Sequence, residues 1–174
     1  MMDRRKVEHI LRAAGDLATT DLAGAEGEAL LALNNAHAVE LSWLEPERLA
    51  HLVAEAFAAR RVGVADALLL TFDQDADYDS PNFLWFRERY PAFVYVDRVV
   101  VADAARGRGL ARALYADLFA AARAAGHERI VCEVNSDPPN PASDAFHAAL
   151  GFVPVGTAKI HGGKKTVTYL ERIL

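Results

Sequence analysis

The chain of 174 residues carries a formal net charge of −5, and 52% of its residues are hydrophobic against 25% charged. These values are typical of a folded globular protein and exclude an intrinsically disordered chain. The basic residues form no run, which argues against a nucleic-acid or membrane-surface binder. The single cysteine, Cys132, excludes an intramolecular disulfide. We expect one domain over residues 1–174, without a signal-peptide core at the N-terminus, in the cytoplasm.

The first half of the chain predicts two helices followed by a strand and a further helix. Apolar residues recur at helical spacing over 25–38 and 46–59. Pro46 suits the first position of the second helix, because that position needs no backbone N–H donor. Residues 64–72 predict a strand. After a polar loop, Ser80–Pro81 predicts the start of the helical segment NFLWFRERY.

The second half of the chain predicts a regular alternation of strands and helices. Its predicted elements are a strand at 92–101, a helix at 109–125 ended by Gly126, a strand at 129–135, a helix at 141–150, and a C-terminal hairpin that turns at Gly162–Gly163. This order favours the α/β class, with a mixed sheet and at least one parallel crossover.

Two glycines and two arginines occupy residues 106–109, at the predicted junction of strand and helix. Glycine lets the backbone approach a ligand closely, and the free N–H groups of a helix's first turn bind anions. The stretch lacks the Gly-Lys-Ser/Thr ending of a P-loop. It also fails the dinucleotide-binding pattern, since Arg112 stands at the third glycine position. An anion site of another type and a solvated loop remain open from this stretch alone.

Two motifs in the right order resolve that ambiguity. Residues 106–111, RGRGLA, fit the pattern Arg/Gln-x-x-Gly-x-Gly/Ala, and residues 140–152, NPASDAFHAALGF, supply the second motif. With both motifs the chain resembles the GNAT superfamily of N-acetyltransferases, and within it a bacterial subgroup. The resemblance is strong from about Phe93 to Leu174 and weaker before.

The resemblance implies a central mixed β-sheet flanked by helices, in which the parallel strands 93–101 and 129–135 splay apart. The pantetheine arm of acetyl-coenzyme A would lie between these strands and bond to the backbone of Val99 and Val101. The residues implied to hold the rest of the coenzyme are Arg106, Gly107, Arg108, Gly109, Leu110, Ala111 and Arg112 around the pyrophosphate, with Asn140 and Phe146 on the other side.

The implied reaction is acetyl transfer to a primary amine by direct attack in a ternary complex. A carboxylate near the thioester suits removal of the proton from the amine. We favour Glu133, on the second splayed strand, over its alternative as a structural carboxylate paired with an arginine; Asp97 is the competing base. His147 stands where many members of the superfamily have tyrosine. It is interpreted either as the proton donor to the leaving sulfur or as a helix histidine that bonds to the coenzyme or the backbone.

The acceptor side is implied by position. Asn34 and Asn35 fall in the region that borders the acceptor pocket in the superfamily, although a helix end or bend explains them better. Tyr78 and Asp97 are further candidates for contact with the acceptor. The acidic loop DQDADYDS does not predict a calcium site, because Tyr78 and Leu84 replace the glycine and glutamate that an EF-hand needs. We expect no metal.

A second function from another class is a non-catalytic acyl-coenzyme A-binding or regulatory module with the same fold. The histidine at 147 in place of tyrosine supports this alternative. The expected partners are acetyl-coenzyme A and a small-molecule or peptide amine, with neither nucleic acid nor membrane, and a homodimer stays open. Release of free thiol with a panel of amines distinguishes the two functions.

Overall fold

A seven-stranded mixed β-sheet forms the centre of the computed structural model, which describes residues 3–174. The strands are β1 (Ala14–Asp16), β2 (Ala58–Val62), β3 (Ala67–Asp73), β4 (Val94–Val101), β5 (Arg129–Asp137), β6 (Val153–Ile160) and β7 (Lys165–Ile173). Their order across the sheet is β1-β2-β3-β4-β5-β7-β6. Neighbouring strands run antiparallel except β4 and β5, which are parallel. The fold is therefore of the expected α/β type.

Helices cover both faces of the sheet. They are α1 (Arg4–Leu11), α2 (Ala25–Ala36), α3 (Ala38–Leu41), α4 (Pro46–Glu55), α5 (Pro81–Arg87), α6 (Leu110–Ala124) and α7 (Pro141–Ala149). Helices α2, α4 and α5 bury their apolar residues on one face, and α1, α6 and α7 pack on the other, so each face has its own core. In the part of the chain that is described, every helix is too short or too polar to traverse a bilayer.

The predicted elements of the second half are confirmed, with ends that differ by at most two residues. Helices α4 and α5 begin at Pro46 and Pro81, as predicted from the proline position. Gly126 and Gly151 follow α6 and α7 in the left-handed region, each with a φ of 84°. Both glycines end their helices there because residues with a Cβ rarely adopt this conformation.

The first half departs further from the prediction than the second. The helix expected at 46–59 ends at Glu55, because Ala58–Val62 pairs along its length with β3 as strand β2. The Thr71 hydroxyl bonds the backbone N–H and C=O of Ala58 and fixes that start. The strand expected at 64–72 begins only at Ala67, after a turn at 63–66. Helix α1, strand β1 and the short helix α3 were not predicted.

Strand β4 contains a β-bulge at Asp97. Leu70 of β3 pairs with Arg98 and the next residue, Thr71, pairs with Val96, which leaves Asp97 as the extra residue on β4. A bulge bends its strand and redirects the side chains next to it. Asp97 and Arg98 therefore both reach groups on the α2 face of the sheet: Asp97 contacts the loop before α5, and Arg98 contacts α2.

Gly27 provides a test of how closely α2 packs against the segment that precedes it. A Cβ at this buried helical position would lie 1.8 Å from the backbone oxygen of Leu22. In an exposed helix, Gly→Ala stabilises by about 1 kcal/mol. We expect the opposite sign for Gly27→Ala, a loss on the order of 1–3 kcal/mol of unfolding free energy from overpacking. Urea unfolding measures it, with the exposed Glu28→Ala of the same helix as control. A stabilised Gly27→Ala variant would contradict the packing described.

Candidate active site

The parallel strands β4 and β5 separate soon after they meet. They pair only at Val94 with Ile130 and at Tyr95 with Val131, and beyond these residues the strands diverge. The gap opens into a cavity of about 580 Å³ between the two strands, α3 and α7. Along this gap the edge of β4 that faces β5 is not used for strand pairing. An extended ligand can bond to such an edge as an added strand would.

The residues expected to bond an extended arm lie on this edge. Val99 and Val101 both line the cavity, and each pairs with β3 on its other side. Asn140 lines the cavity from the start of α7, where its side chain accepts the N–H of Ser143 at 3.2 Å. The structure thus brings these three predicted residues to one cavity.

The glycine-rich stretch forms a second, smaller cavity of about 310 Å³ at the N-terminus of α6. Gly107 and Gly109 have φ values of 76° and 85°, and a Cβ at Gly107 would meet nothing within 4 Å. Only glycine adopts this backbone conformation at low cost, and the space beside Gly107 is open. The predicted residues that line this cavity are Val101, Arg106, Gly107, Gly109, Leu110, Ala111, Arg112 and Phe146. A helix N-terminus of this kind binds anions.

The two arginines of the stretch differ. Arg108 lies outside the lining of both cavities, and its guanidinium pairs with Asp66 at 3.0 Å. Arg106 lines both cavities and pairs with Asp103 at 3.0 Å. The same Arg106 nitrogen lies 3.5 Å from Nε2 of His37, whose Nδ1 is 3.1 Å from the Leu33 carbonyl. Arg106 therefore connects the smaller cavity with the wall of the larger one.

Glu133 lines the large cavity with one carboxylate oxygen bonded and the other free. Oε1 accepts Asn82 Nδ2 at 3.0 Å and the Tyr95 hydroxyl at 3.1 Å. Oε2 is buried and has no hydrogen-bond partner among residues 3–174. Burial and the nearby Asp97 carboxylate raise the pKa of Glu133 from 4.5 to about 8, against the lowering effect of the two hydrogen bonds. A neighbouring arginine, the structural alternative for this residue, is absent from the hydrogen bonds and ion pairs of Glu133 in this range.

An arginine forms an ion pair with Asp97 instead of Glu133. Asp97 accepts Arg98 Nε at 2.6 Å and the Tyr78 hydroxyl at 2.5 Å. Arg98 also donates to the Asn34 side chain at 2.8 Å. Burial and the Asp97 charge raise the pKa of the Tyr78 hydroxyl, so Tyr78 stays protonated and keeps donating. Both carboxylate oxygens of Asp97 are thus occupied by donors, and Asp97 is less suited than Glu133 to accept a proton.

Asn34 and Asn35 hold the chain that follows α2. Asn34 donates to the Ser42 carbonyl at 3.0 Å, and Asn35 bonds both the N–H and the carbonyl of Leu44 at 2.9 Å. Their amide groups are thus used within the protein, which agrees with the helix-end interpretation.

His147 is buried at the base of α7 and has both ring nitrogens occupied. Nδ1 lies 2.8 Å from the Ser143 carbonyl, which can only accept, so Nδ1 carries the proton. Nε2 then accepts the Tyr115 hydroxyl at 2.8 Å. Burial lowers the pKa of His147, partly opposed by the Ser143 carbonyl and by Asp144. The imidazole is neutral near pH 7 and has no proton directed into the cavity.

Sequence analysis missed four residues that complete this site: Asn82, Tyr95, Tyr115 and Tyr169. Asn82 left one signal, as a polar residue inside the apolar helical segment after Pro81. The three tyrosines lie in apolar strands or helices, where an aromatic residue predicts core packing. Cys132 packs in the core on the face opposite Glu133. No group of three His, Cys, Asp or Glu side chains within residues 3–174 is placed to hold a metal.

Comparison with known proteins agrees with this geometry. Residues 82–152 match the sequence profile of the acetyltransferase (GNAT) family. No curated protein matches the chain in sequence.

Solved structures similar to this chain share its fold at low sequence identity. Ard1 from Thermoplasma volcanium aligns over 92% of this chain and 96% of its own, with a TM-score of 0.70 and 13% identity. The ribosomal-protein-alanine N-acetyltransferase from Brucella melitensis aligns over 92% and 99%, with a TM-score of 0.63 and 22% identity. NAA60 from Arabidopsis thaliana, solved in complex with acetyl-CoA, aligns over 84% and 95%, with a TM-score of 0.62 and 13% identity.

The raised pKa of Glu133 makes the stability of the fold depend on pH. The folded state keeps this proton up to about pH 8, whereas the unfolded chain releases it near pH 4.5. The contribution of Glu133 to stability is therefore complete below pH 4.5 and is lost as the pH rises to 8. Because Gln does not titrate, we expect Glu133→Gln to gain stability relative to the parent over this range, on the order of 4 kcal/mol.

Urea unfolding of both proteins from pH 5 to pH 8.5 measures this difference. Glu28→Gln, which removes an exposed carboxylate, is the control and should show no comparable trend. A relative stability of Glu133→Gln that falls with rising pH would show that the folded protein holds Glu133 as an anion, contrary to its raised pKa.

Proposed function

We propose that the chain transfers an acetyl group from acetyl-coenzyme A to a primary amine by direct attack in a ternary complex. Two findings support this: residues 82–152 match the acetyltransferase (GNAT) family, and the fold is similar to that of Ard1 from Thermoplasma volcanium. The observation that carries this proposal is Glu133 Oε2, a buried carboxylate oxygen on the wall of the cavity that has no partner among residues 3–174. Leaving such a group unpaired costs free energy. A catalytic base is the use that accounts for that cost.

The residues present fit acetyl-coenzyme A. The unpaired edge of β4 at Val99 and Val101 suits the amide groups of the pantetheine arm. The first turn of α6, with Gly107 and Gly109 in left-handed conformation, suits the pyrophosphate. Arg106 adds a cation beside it, and Asn140 and Phe146 close the opposite side. When bound, the coenzyme supplies an acyl group activated as a thioester.

Glu133 acts as the general base in this proposal. An ammonium has no lone pair, so the acceptor must lose a proton before it can attack. Oε2 takes that proton, directly or through one water. A carboxylate with a pKa of about 8 is nearly matched to an α-amine, whose pKa is about 8. Asp97 keeps the proton affinity of Glu133 high by its fixed charge, and it remains outside the proton transfer.

His147 has no role as a proton donor in this proposal. Its single ring proton is used at the Ser143 carbonyl, and Nε2 already accepts from Tyr115. The pKa of the departing thiol is about 8.5, so it leaves as a thiolate without much penalty near neutral pH. His147 and Tyr115 shape the cavity wall on the coenzyme side. The non-catalytic alternative lacks a use for the free oxygen of Glu133, and we therefore prefer acetyl transfer.

The first test concerns the anion site. Gly109→Glu places a bulky anion at the N-terminus of α6, and we expect coenzyme A binding to weaken by at least about 100-fold through steric block and charge repulsion. Isothermal titration calorimetry measures the affinity. Gly126→Glu is the matched control, because Gly126 has a φ of 84° against 85° for Gly109 but follows the other end of α6.

The control variant carries the same backbone strain and should bind coenzyme A as the parent does. Equal affinity in a folded Gly109→Glu variant would remove the assignment of the phosphate site.

The second test compares the two predicted catalytic residues. We expect Glu133→Gln to lower turnover at pH 7.5 by about 100- to 1000-fold, because it deletes the base. We expect His147→Phe to lower it by less than about tenfold, since His147 donates no proton to the reaction. In the parent, turnover should rise with pH to a plateau above the Glu133 pKa of about 8, and this limb should vanish in Glu133→Gln. Thiol release with a panel of amines measures all three profiles.

Coenzyme A affinity is measured in parallel for both variants to separate binding from chemistry. Abolished turnover with intact binding in His147→Phe would make His147 the proton donor after all. Failure of the parent to release thiol with every amine would favour the non-catalytic module.

A further inference from the structure

Three side chains from different elements form a hydrogen-bonded chain that ends on Glu133. The Tyr169 hydroxyl of β7 donates to Asn82 Oδ1 at 3.0 Å. Asn82, the second residue of α5, donates through Nδ2 to Glu133 Oε1 at 3.0 Å. These two bonds fix the amide of Asn82, because only one orientation places its oxygen toward a hydroxyl donor and its nitrogen toward a carboxylate acceptor.

The packing around this chain leaves it little freedom. Tyr169 is the direct cross-strand partner of Glu133, and its ring stacks on Trp85 with centroids 4.1 Å apart. Asn82 is 8% exposed and Tyr169 is 1% exposed. Gly156 of β6 lies against Trp85 so closely that a Cβ there would approach its ring to 2.6 Å. Trp85 is thereby held against Tyr169, and Tyr169 against Asn82.

The chain selects which oxygen of Glu133 is free. Asn82 and Tyr95 both donate to Oε1, and Oε2 receives no bond. A carboxyl group that rotated freely would present either oxygen to the cavity. Resting on the proposed function, we infer that Asn82 is a positioning residue for Glu133: Tyr169 orients its amide, and the amide holds the carboxyl with Oε2 as the proton-accepting oxygen.

Asn82 also affects how tightly Glu133 holds its proton. A hydrogen bond donated to the ionised form favours that form. Asn82 and Tyr95 therefore lower the pKa of Glu133, whereas burial and Asp97 raise it. The other titratable groups whose pKa values the Glu133 charge raises are Tyr78, Tyr115, Cys132 and Tyr169. These groups stay uncharged, so removal of the Asn82 donor should shift the pKa of Glu133 upward.

The test is the variant Asn82→Ala. We expect the Glu133 pKa, followed by NMR of ¹³C-labelled carboxyl groups and assigned with Glu133→Gln, to rise by roughly one unit. The rising limb of the pH–turnover profile should move upward by the same amount. Turnover should then be about tenfold lower at pH 7 and approach that of the parent above about pH 9.5. A merely structural loss would lower the rate by a constant factor at every pH.

Tyr169→Phe is the second variant and should fold even where Asn82→Ala does not. It frees the Asn82 amide to rotate, and we expect an upward shift in the same direction but smaller. Tyr90→Phe is the matched control, because Tyr90 packs in the same aromatic cluster yet faces Arg129 and makes no bond to Glu133. It should leave both pKa and profile unchanged.

The outcomes separate this inference from the function on which it rests. An unmoved carboxyl titration in both variants would overturn the inference and leave acetyl transfer standing. A moved titration with an unmoved pH–turnover profile would overturn it as well, because Asn82 would then act on a carboxyl that is not the base. Absence of thiol release by the parent would instead overturn the proposed function.

Discussion

The divergence of β4 and β5 after two paired residues is the constraint from which the site follows. Backbone groups that lose a strand partner in a protein interior must find another partner or face a ligand or water. Here the bulge at Asp97 bends β4 away, and the free edge lines the cavity. The same bend turns Asp97 and Arg98 toward α2, where Asn34 completes their pairing. The bulge therefore both opens the gap between β4 and β5 and positions the charged side chains Asp97 and Arg98.

Two neighbouring carboxylates acquire different properties because their donors differ. Asp97 receives a guanidinium and a phenol, and Glu133 receives an amide and a phenol on a single oxygen. Charge-assisted bonds to Asp97 are the stronger ones. Repulsion between like charges then falls on Glu133, which holds its proton to about pH 8. The carboxylate on β4 is thus paired with an arginine, and the carboxyl group on β5 keeps one oxygen free.

Much of this site could be predicted from local sequence. Gly107 and Gly109 predict a tight turn by residue type alone. Strand alternation alone places Glu133 on the face opposite Cys132. The bulge at Asp97 could not be predicted, because it exists only through the register with β3. Asn82 reaches Glu133 across 51 residues of chain, a contact that no local pattern encodes. Strand β2 was missed for a similar reason. Its alanines favour a helix locally, and only the hydrogen bonding with β3 makes the segment a strand.

The position of Arg106 between Asp103, His37 and both cavities links the two halves of the site thermodynamically. An anion in the small cavity competes with Asp103 for the guanidinium, and drawing Arg106 away also removes its contact with His37 on the wall of the large cavity. Binding of a ligand that contacts this wall is then coupled to binding of the anion. The coupling free energy is the same in both directions. An exposed ion pair weakens with ionic strength. Salt concentration therefore changes the coupling free energy between the two cavities as well as the affinity of each cavity for its ligand.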